Sequence, residues 1–314
     1  MEEYRKLIKF GSSSHVISLP ISWIKKNKLK KGDIINFYEN KNNELIVSLN
    51  SKNIGENLGS INIDTNNKDI KLVEREIIAA YLNGYYTISV IGNVRENIKV
   101  IRHFFDRLMG FEIVEQNKTS IISKDFMDMN KFSVETSLRK MDISVKMIFS
   151  EFKNFNSDKS FKNIQIYDRD ICRYMFLFRR MYKIALGSRT KESFGYTLDH
   201  LLRWWEVAHH IERIGARLKT TYHNLKMIEN ERTAKEILKL INKIENYYFE
   251  CMKCYYSKNL DDAYKISDIK RKEMIPRFDK LKNLKPNNLY LGLVLSDLKF
   301  IISSIHMIIR RVYS

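Results

Sequence analysis

The chain is poor in the residues that interrupt regular structure, with 3 Pro and 11 Gly among 314 residues. Proline removes a backbone donor and glycine loosens the chain, so this scarcity favours long elements, helices above all, and excludes collagen-like or low-complexity architectures. Cysteine is scarce too. Cys172, Cys251 and Cys254 are too few and too odd in number for a disulfide framework, which fits a reducing compartment. The amino terminus, Met1-Glu2-Glu3-Tyr4-Arg5-Lys6, lacks the apolar stretch of a secretion signal, and the expectation is a cytoplasmic protein. The most apolar stretch, Leu289 to Ile309, is interrupted by Asp297, Lys299 and His306, each costly in lipid. It reads as a buried helix, and no membrane insertion is expected. No phosphate-cradling Gly-rich loop, nucleophile elbow or kinase signature occurs, so the chain does not read as an enzyme.

Negative charge is the last deficit. The 37 Asp and Glu stand against 55 Lys and Arg, a formal charge of +18 that directs the molecule toward polyanions. Apolar residues make up 44% of the chain, enough for packed cores, so wholesale disorder is excluded. At roughly 150 residues per domain the length implies two or three folded units.

Along the first fifty residues, short β-type runs alternate with turn residues. Leu7 to Phe10 and His15 to Leu19 flank Gly11-Ser12-Ser13-Ser14 as a hairpin, and Pro20 opens a short helix from Ile21 to Asn27. Lys31-Gly32-Asp33 turns into Ile34 to Tyr38, and Glu44 to Leu49 completes four strands. Fifty residues bury too little to stand alone, so size implies two copies sharing a core. Residues 51–69, rich in Asn, Gly and Asp, read as a linker or partly extended segment, weakly ordered at best. Val73 to Tyr81 has helical spacing, Tyr86 to Ile91 alternates, Ile98 to Leu108 is amphipathic and Phe111 to Ile122 is strand-like, which together make a small α+β unit. From Phe126 onward the period is 3.6, with breaks near Asn156, Gly187, Asn230, Asn259 and Pro286 that delimit six helices. Such a succession reads as two antiparallel three-helix bundles. The expected domains are 1–50, 51–127, 128–229 and 230–314.

The string Arg5-Lys6, Phe10-Gly11, Ile17-Ser18-Leu19-Pro20 and Leu29-Lys30-Lys31-Gly32-Asp33-Ile34-Ile35 resembles the AbrB/SpoVT/MazE family of swapped-hairpin β domains. Downstream, Ile78 to Tyr85, Leu138-Arg139-Lys140-Met141, Asp168-Arg169-Asp170 and Ile211-Glu212-Arg213-Ile214-Gly215 resemble archaeal phosphate uptake regulators that join this domain to a PhoU-like helical domain. The resemblance implies a multidomain chain: a swapped-hairpin β domain, a small α+β unit, then a PhoU-like pair of antiparallel three-helix bundles. It implies a homodimer that binds double-stranded DNA and regulates phosphate uptake. Matched position by position, Arg5, Lys6, Lys25 and Lys26 are the DNA-binding cations. Where many relatives carry an arginine in the first turn, this chain has Ser12-Ser13-Ser14-His15.

PhoU domains carry paired carboxylates one helical turn apart that hold a metal cluster. Here Glu212 and Asp297 match first acids while Ala216 and Ile301 stand where the second acids are expected, and on the adjacent helix Asp170 falls at an acidic position and Cys172 at the family's second one. With half the ligands replaced, the expectation is no cofactor. A second function reading keeps the helices alone: they would dock a phosphate transporter component or a sensor kinase without DNA binding. The Cys251-x-x-Cys254 pair lies on an apolar helical stripe and has no second ligand pair, so it reads as small buried hydrophobes rather than a zinc site. His209 and His210 point about 100° apart on a helix and read as a capped or solvated pair.

Overall fold

The computed structural model describes residues 4–12, 14–39, 45–49, 58–128, 133–155, 157–187, 197–276, 278 and 289–313. The chain is mostly helical, with small sheets toward its amino terminus and helices toward its carboxyl terminus. Two compact units divide it, Met1–Asn53 and Ile54–Ser314.

In the first unit, β1 (Ile8–Phe10) and β2 (Ser14–Val16) form an antiparallel hairpin, α1 (Ile21–Lys26) follows Pro20, and β3 (Asn36–Glu39) pairs antiparallel with β4 (Leu45–Ser48). Helix α1 closes in a Schellman arrangement: Lys28 donates its amide to the Lys25 carbonyl, Leu29 donates to Ile24, and Lys28 takes the left-handed conformation at φ 55°. A tight turn then brings Gly32 to φ 100°, with the Asp33 carboxylate accepting the Lys30 amide at 2.7 Å.

The second unit opens with an open sheet of order β5-β6-β8-β7, built from β5 (Leu58–Asp64), β6 (Tyr85–Ile91), β7 (Phe111–Gln116) and β8 (Ser120–Asp125). Strand β5 lies parallel to β6, joined through α2 (Ile70–Leu82), while β6, β8 and β7 pair antiparallel; α3 (Ile98–Asp106) crosses from β6 to β7. Residues 51–69 therefore are not simply a linker, because 58–64 form an edge strand. Its Ile61 and Ile63 pack on the sheet core with Val73, Ile77 and Tyr81 of α2 and Ile101, Phe104 and Phe105 of α3.

Helices α4 (Val134–Glu151), α5 (Asp158–Gly187), α6 (Leu198–Leu225), α7 (Glu231–Ser257), α8 (Leu260–Ile269) and α9 (Leu289–Arg310) make up the rest. Four of the starts are set by side-chain caps: Ser133, Thr197, Asn230 and Asn259 each accept an amide from the first turn. Helices α4, α5 and α6 pack on one another, α7, α8 and α9 do the same, and α6 against α9 is the most extensive pairing. The last two run antiparallel, since Arg311 pairs with Glu206 at one end while Asp297 pairs with Arg217 further along. One continuous apolar core runs through all six helices. Gly215 permits the close approach of α6 to α5, as a Cβ there would lie 2.8 Å from the Ile171 side chain. Helix α9 is long and apolar enough to cross a membrane, yet it turns Leu291, Val294, Leu298, Ile301, Ile305 and Ile309 into this core.

The sheet and the helices are locked together by Arg180 on α5. Its guanidinium, 1% exposed, donates to the carbonyls of Tyr81 and Tyr85 and to Asp125 Oδ2 at 2.6 Å, and lies over the rings of Tyr81 and Phe111. Asp125 Oδ1 accepts the Met127 amide.

Candidate nucleic-acid interface and the carboxylates of the helices

Between residues 4 and 33 eight Lys and Arg stand against a single acid, Asp33. Arg5 and Lys6 are exposed on the segment leading into β1. Lys25 and Lys26 are exposed in the last turn of α1, where cations also complement the helix dipole, and among the described residues they form no ion pair. Lys28, Lys30 and Lys31 continue the exposed run through the turn that follows. The hairpin adds a pair that the sequence reading passed over. Lys9 faces His15 across the strands, on the face opposite to Ile8, Phe10 and Val16, and the alternation Ile8-Lys9-Phe10 already carried that signal.

The apolar face of this hairpin is uncovered: Ile8 is 57% exposed and Phe10 67%. Ile34, Phe37 and Leu45 are exposed as well, and no described side chain between residues 4 and 49 is buried. A stable globular unit does not leave so many large hydrophobes in water without a covering surface.

On the helices, the three acids assigned by resemblance are not brought together. Both oxygens of Asp297, buried on α9, are occupied by α6: Arg217 Nη1 donates to Oδ1 and Thr220 Oγ1 donates to Oδ2, each at 2.7 Å. Glu212 is half-buried, and burial raises its carboxyl, opposed by Arg179. The acid whose charge reaches Glu212 is Asp168, not Asp170, and Asp168 is itself paired with Lys219. Cys172 faces the same group, its thiol pushed up to about 11 by burial and then by Asp168 and Glu212. Asp170 lies apart, half-exposed and 4.0 Å from Arg173. Ala216 and Ile301 offer no ligand atom, Ile301 being fully buried in the core. Among the described residues no three His, Cys, Asp or Glu side chains gather as a metal would need. The donor set does not fit a metal cluster.

The two other motifs resolve locally. Cys251 and Cys254 are buried and unbridged, and each Sγ donates to a carbonyl, of Ile305 and Asn259. His209 and His210 are neither capped nor freely solvated: both are partly buried with no partner for Nδ1 among the described residues, their rings are 6.0 Å apart, and His209 stacks on Trp205, which stacks on Tyr182. Burial, then the charges of His209, Arg213 and Arg311, lowers the His210 imidazole to about 4. A base whose folded pKa is depressed stabilises the fold above its unfolded value of about 6.5 and loses that stabilisation as pH falls toward its folded value. Thermal stability is therefore expected to drop between pH 6.5 and 5. The drop should be shallower in His210→Gln, by on the order of 1 kcal/mol after allowing for solvent at the ring. Melting curves of both proteins across that window check it, and equal slopes would show that His210 takes up its proton without cost.

No protein-family model matches the chain, and no curated protein or solved structure matches it.

Proposed function

We propose that this protein is a cytoplasmic homodimeric regulator that binds double-stranded DNA through its first unit and adjusts phosphate uptake, with the helices receiving a signal or partner. The observation that carries this reading is the first unit itself, a cationic surface on a unit whose large hydrophobes are uncovered. A second copy of this unit is the covering surface that fits. Its apolar strands are of the same kind, and exchange of hairpins would pair the two separate two-stranded sheets. Two copies bring Arg5, Lys6, Lys25 and Lys26 to one duplex twice over, and neutralised phosphates supply affinity. The AbrB/SpoVT-like and PhoU-like resemblances supply the phosphate part of the reading and the assignment of the helices to two PhoU-like bundles.

Replacing Ile8 and Phe10 with Glu in the full chain tests this. Each apolar side chain taken from water contributes roughly 1.5–3 kcal/mol, and each is present in both copies, so sedimentation should show the double variant as a monomer. DNA affinity should fall with it, although no cation has been removed. A variant that stays dimeric through its first unit and binds DNA as the parent does would refute the shared core. A parent dimeric through its helices and indifferent to DNA would instead mark an accessory protein that docks a transporter or kinase.

A further inference from the structure

A cleft of about 340 Å³ opens where helices α4 and α5 meet the chain between α3 and β7. Two triplets with the same helical spacing line it, Lys140, Ile143 and Ser144 on α4 and Asp170, Arg173 and Tyr174 on α5. Met109, in the turn between α3 and β7 of the α+β segment, closes it. The site therefore depends on both parts of the second unit, which Arg180 holds in fixed register.

Its charges are under-satisfied. Asp170 Oδ1 lies 4.0 Å from Arg173 Nη1, the outer limit of an ion pair, so the guanidinium lacks the bidentate carboxylate partner its fork geometry favours. Arg173 Nε is buried with no acceptor among the described residues. Lys140 is exposed, forms no ion pair among the described residues, and lends only its carbonyl, to the Ser144 hydroxyl. Two cations against one carboxylate leave a net positive cleft. The remaining walls are apolar: Ile143 is more than half exposed, and Met109 and Tyr174 are partly buried against the core.

We propose that this cleft binds a phosphate monoester with a compact apolar or aromatic group. The phosphate lies between Lys140 and Arg173, and the organic part lies on Met109, Ile143 and Tyr174. The pairing follows from chemistry, since an ammonium and a guanidinium from two helices suit a dianionic tetrahedral group, and the cleft is larger than a lone oxyanion fills. The proposal deepens the regulatory reading by naming a ligand class for the helical part. Its test uses no DNA, so the two can fail separately.

Isothermal titration of the full-length protein with phenyl phosphate should show saturable binding of one ligand per chain, and inorganic phosphate should bind more weakly. Lys140→Gln and Arg173→Gln should each weaken phenyl phosphate about tenfold, as expected for loss of a charge-assisted bond, while Lys239→Gln on α7 should leave it unchanged. Lys140 is exposed on the surface of α4, so its variant keeps the fold even if Arg173→Gln does not. Equal affinity for phenyl and inorganic phosphate would limit the site to the free anion and overturn the monoester assignment. Absence of saturable binding, or affinities of Lys140→Gln within twofold of the parent, would overturn the site.

Discussion

Asp125→Ala is expected to destabilise the second unit by about 3–5 kcal/mol, the cost of leaving a buried charge without its partner. Arg180 is held at 1% exposure by Asp125, two backbone carbonyls and two aromatic rings, and among the described residues Asp125 alone neutralises it. With the carboxylate gone, the guanidinium must either remain charged in an apolar seam or pull α5 away from the sheet, and both are costly. Replacing both residues, as Arg180→Met with Asp125→Leu, removes the two charges together and should recover much of the loss, because a buried pair contributes less than either unpaired charge costs. Urea unfolding followed by circular dichroism checks the single and double variants. A loss below about 1 kcal/mol for Asp125→Ala would mean that water reaches the pair, since that is the range of solvent-exposed ion pairs.

Lys25→Glu combined with Lys26→Glu is expected to give the largest change in binding. In a dimer four phosphate contacts become four repulsions, and each lost contact removes about 0.9 from the slope of log affinity against log salt. The slope should therefore become less negative by roughly 3–4, and affinity at about 0.1 M salt should fall by on the order of a hundredfold or more. Both residues are exposed and unpaired among the described residues, so the fold is not expected to change, and the dimer should survive. Charge reversal of Lys235 and Lys239 on α7, which already pair with Glu231 and Glu236, is the matched control. Equal losses from the two pairs would reduce the effect to net charge and remove the interface from the first unit.

Much of this architecture was legible in local signals. Alternation and turn residues located β1 through β4, and the 3.6-residue period from Phe126 onward located the helices, with Ile171, Met175 and Phe178 buried on α5 at that spacing. Strand β5 was hidden because Asn and Gly dominate the approach to it and, within Ser60 to Asp64, only Ile61 and Ile63 face the core, as suits an edge. The division of Phe111 to Ile122 into β7 and β8 rests on Asn117, whose side chain accepts the amides of Thr119 and Ser120 and so builds the turn. At the carboxylates the difference is rotational. Asp168 lies three residues before Ile171 and four before Cys172, on the inward face, whereas Asp170 is turned about 100° from Ile171 and opens on the cleft. Arg180 carried no sequence signal at all, because its partners at Tyr81, Tyr85 and Asp125 are distant in the chain and meet it only after the sheet has docked on α5.

The most direct measurement is the salt dependence of DNA affinity for the intact protein, read by fluorescence anisotropy on a labelled genomic fragment, with the mass of the complex from sedimentation. Eight contacts from the doubled Arg5, Lys6, Lys25 and Lys26 correspond to a slope of about −7, with two chains per bound duplex. A slope near zero, or no binding even at low salt, would contradict the account.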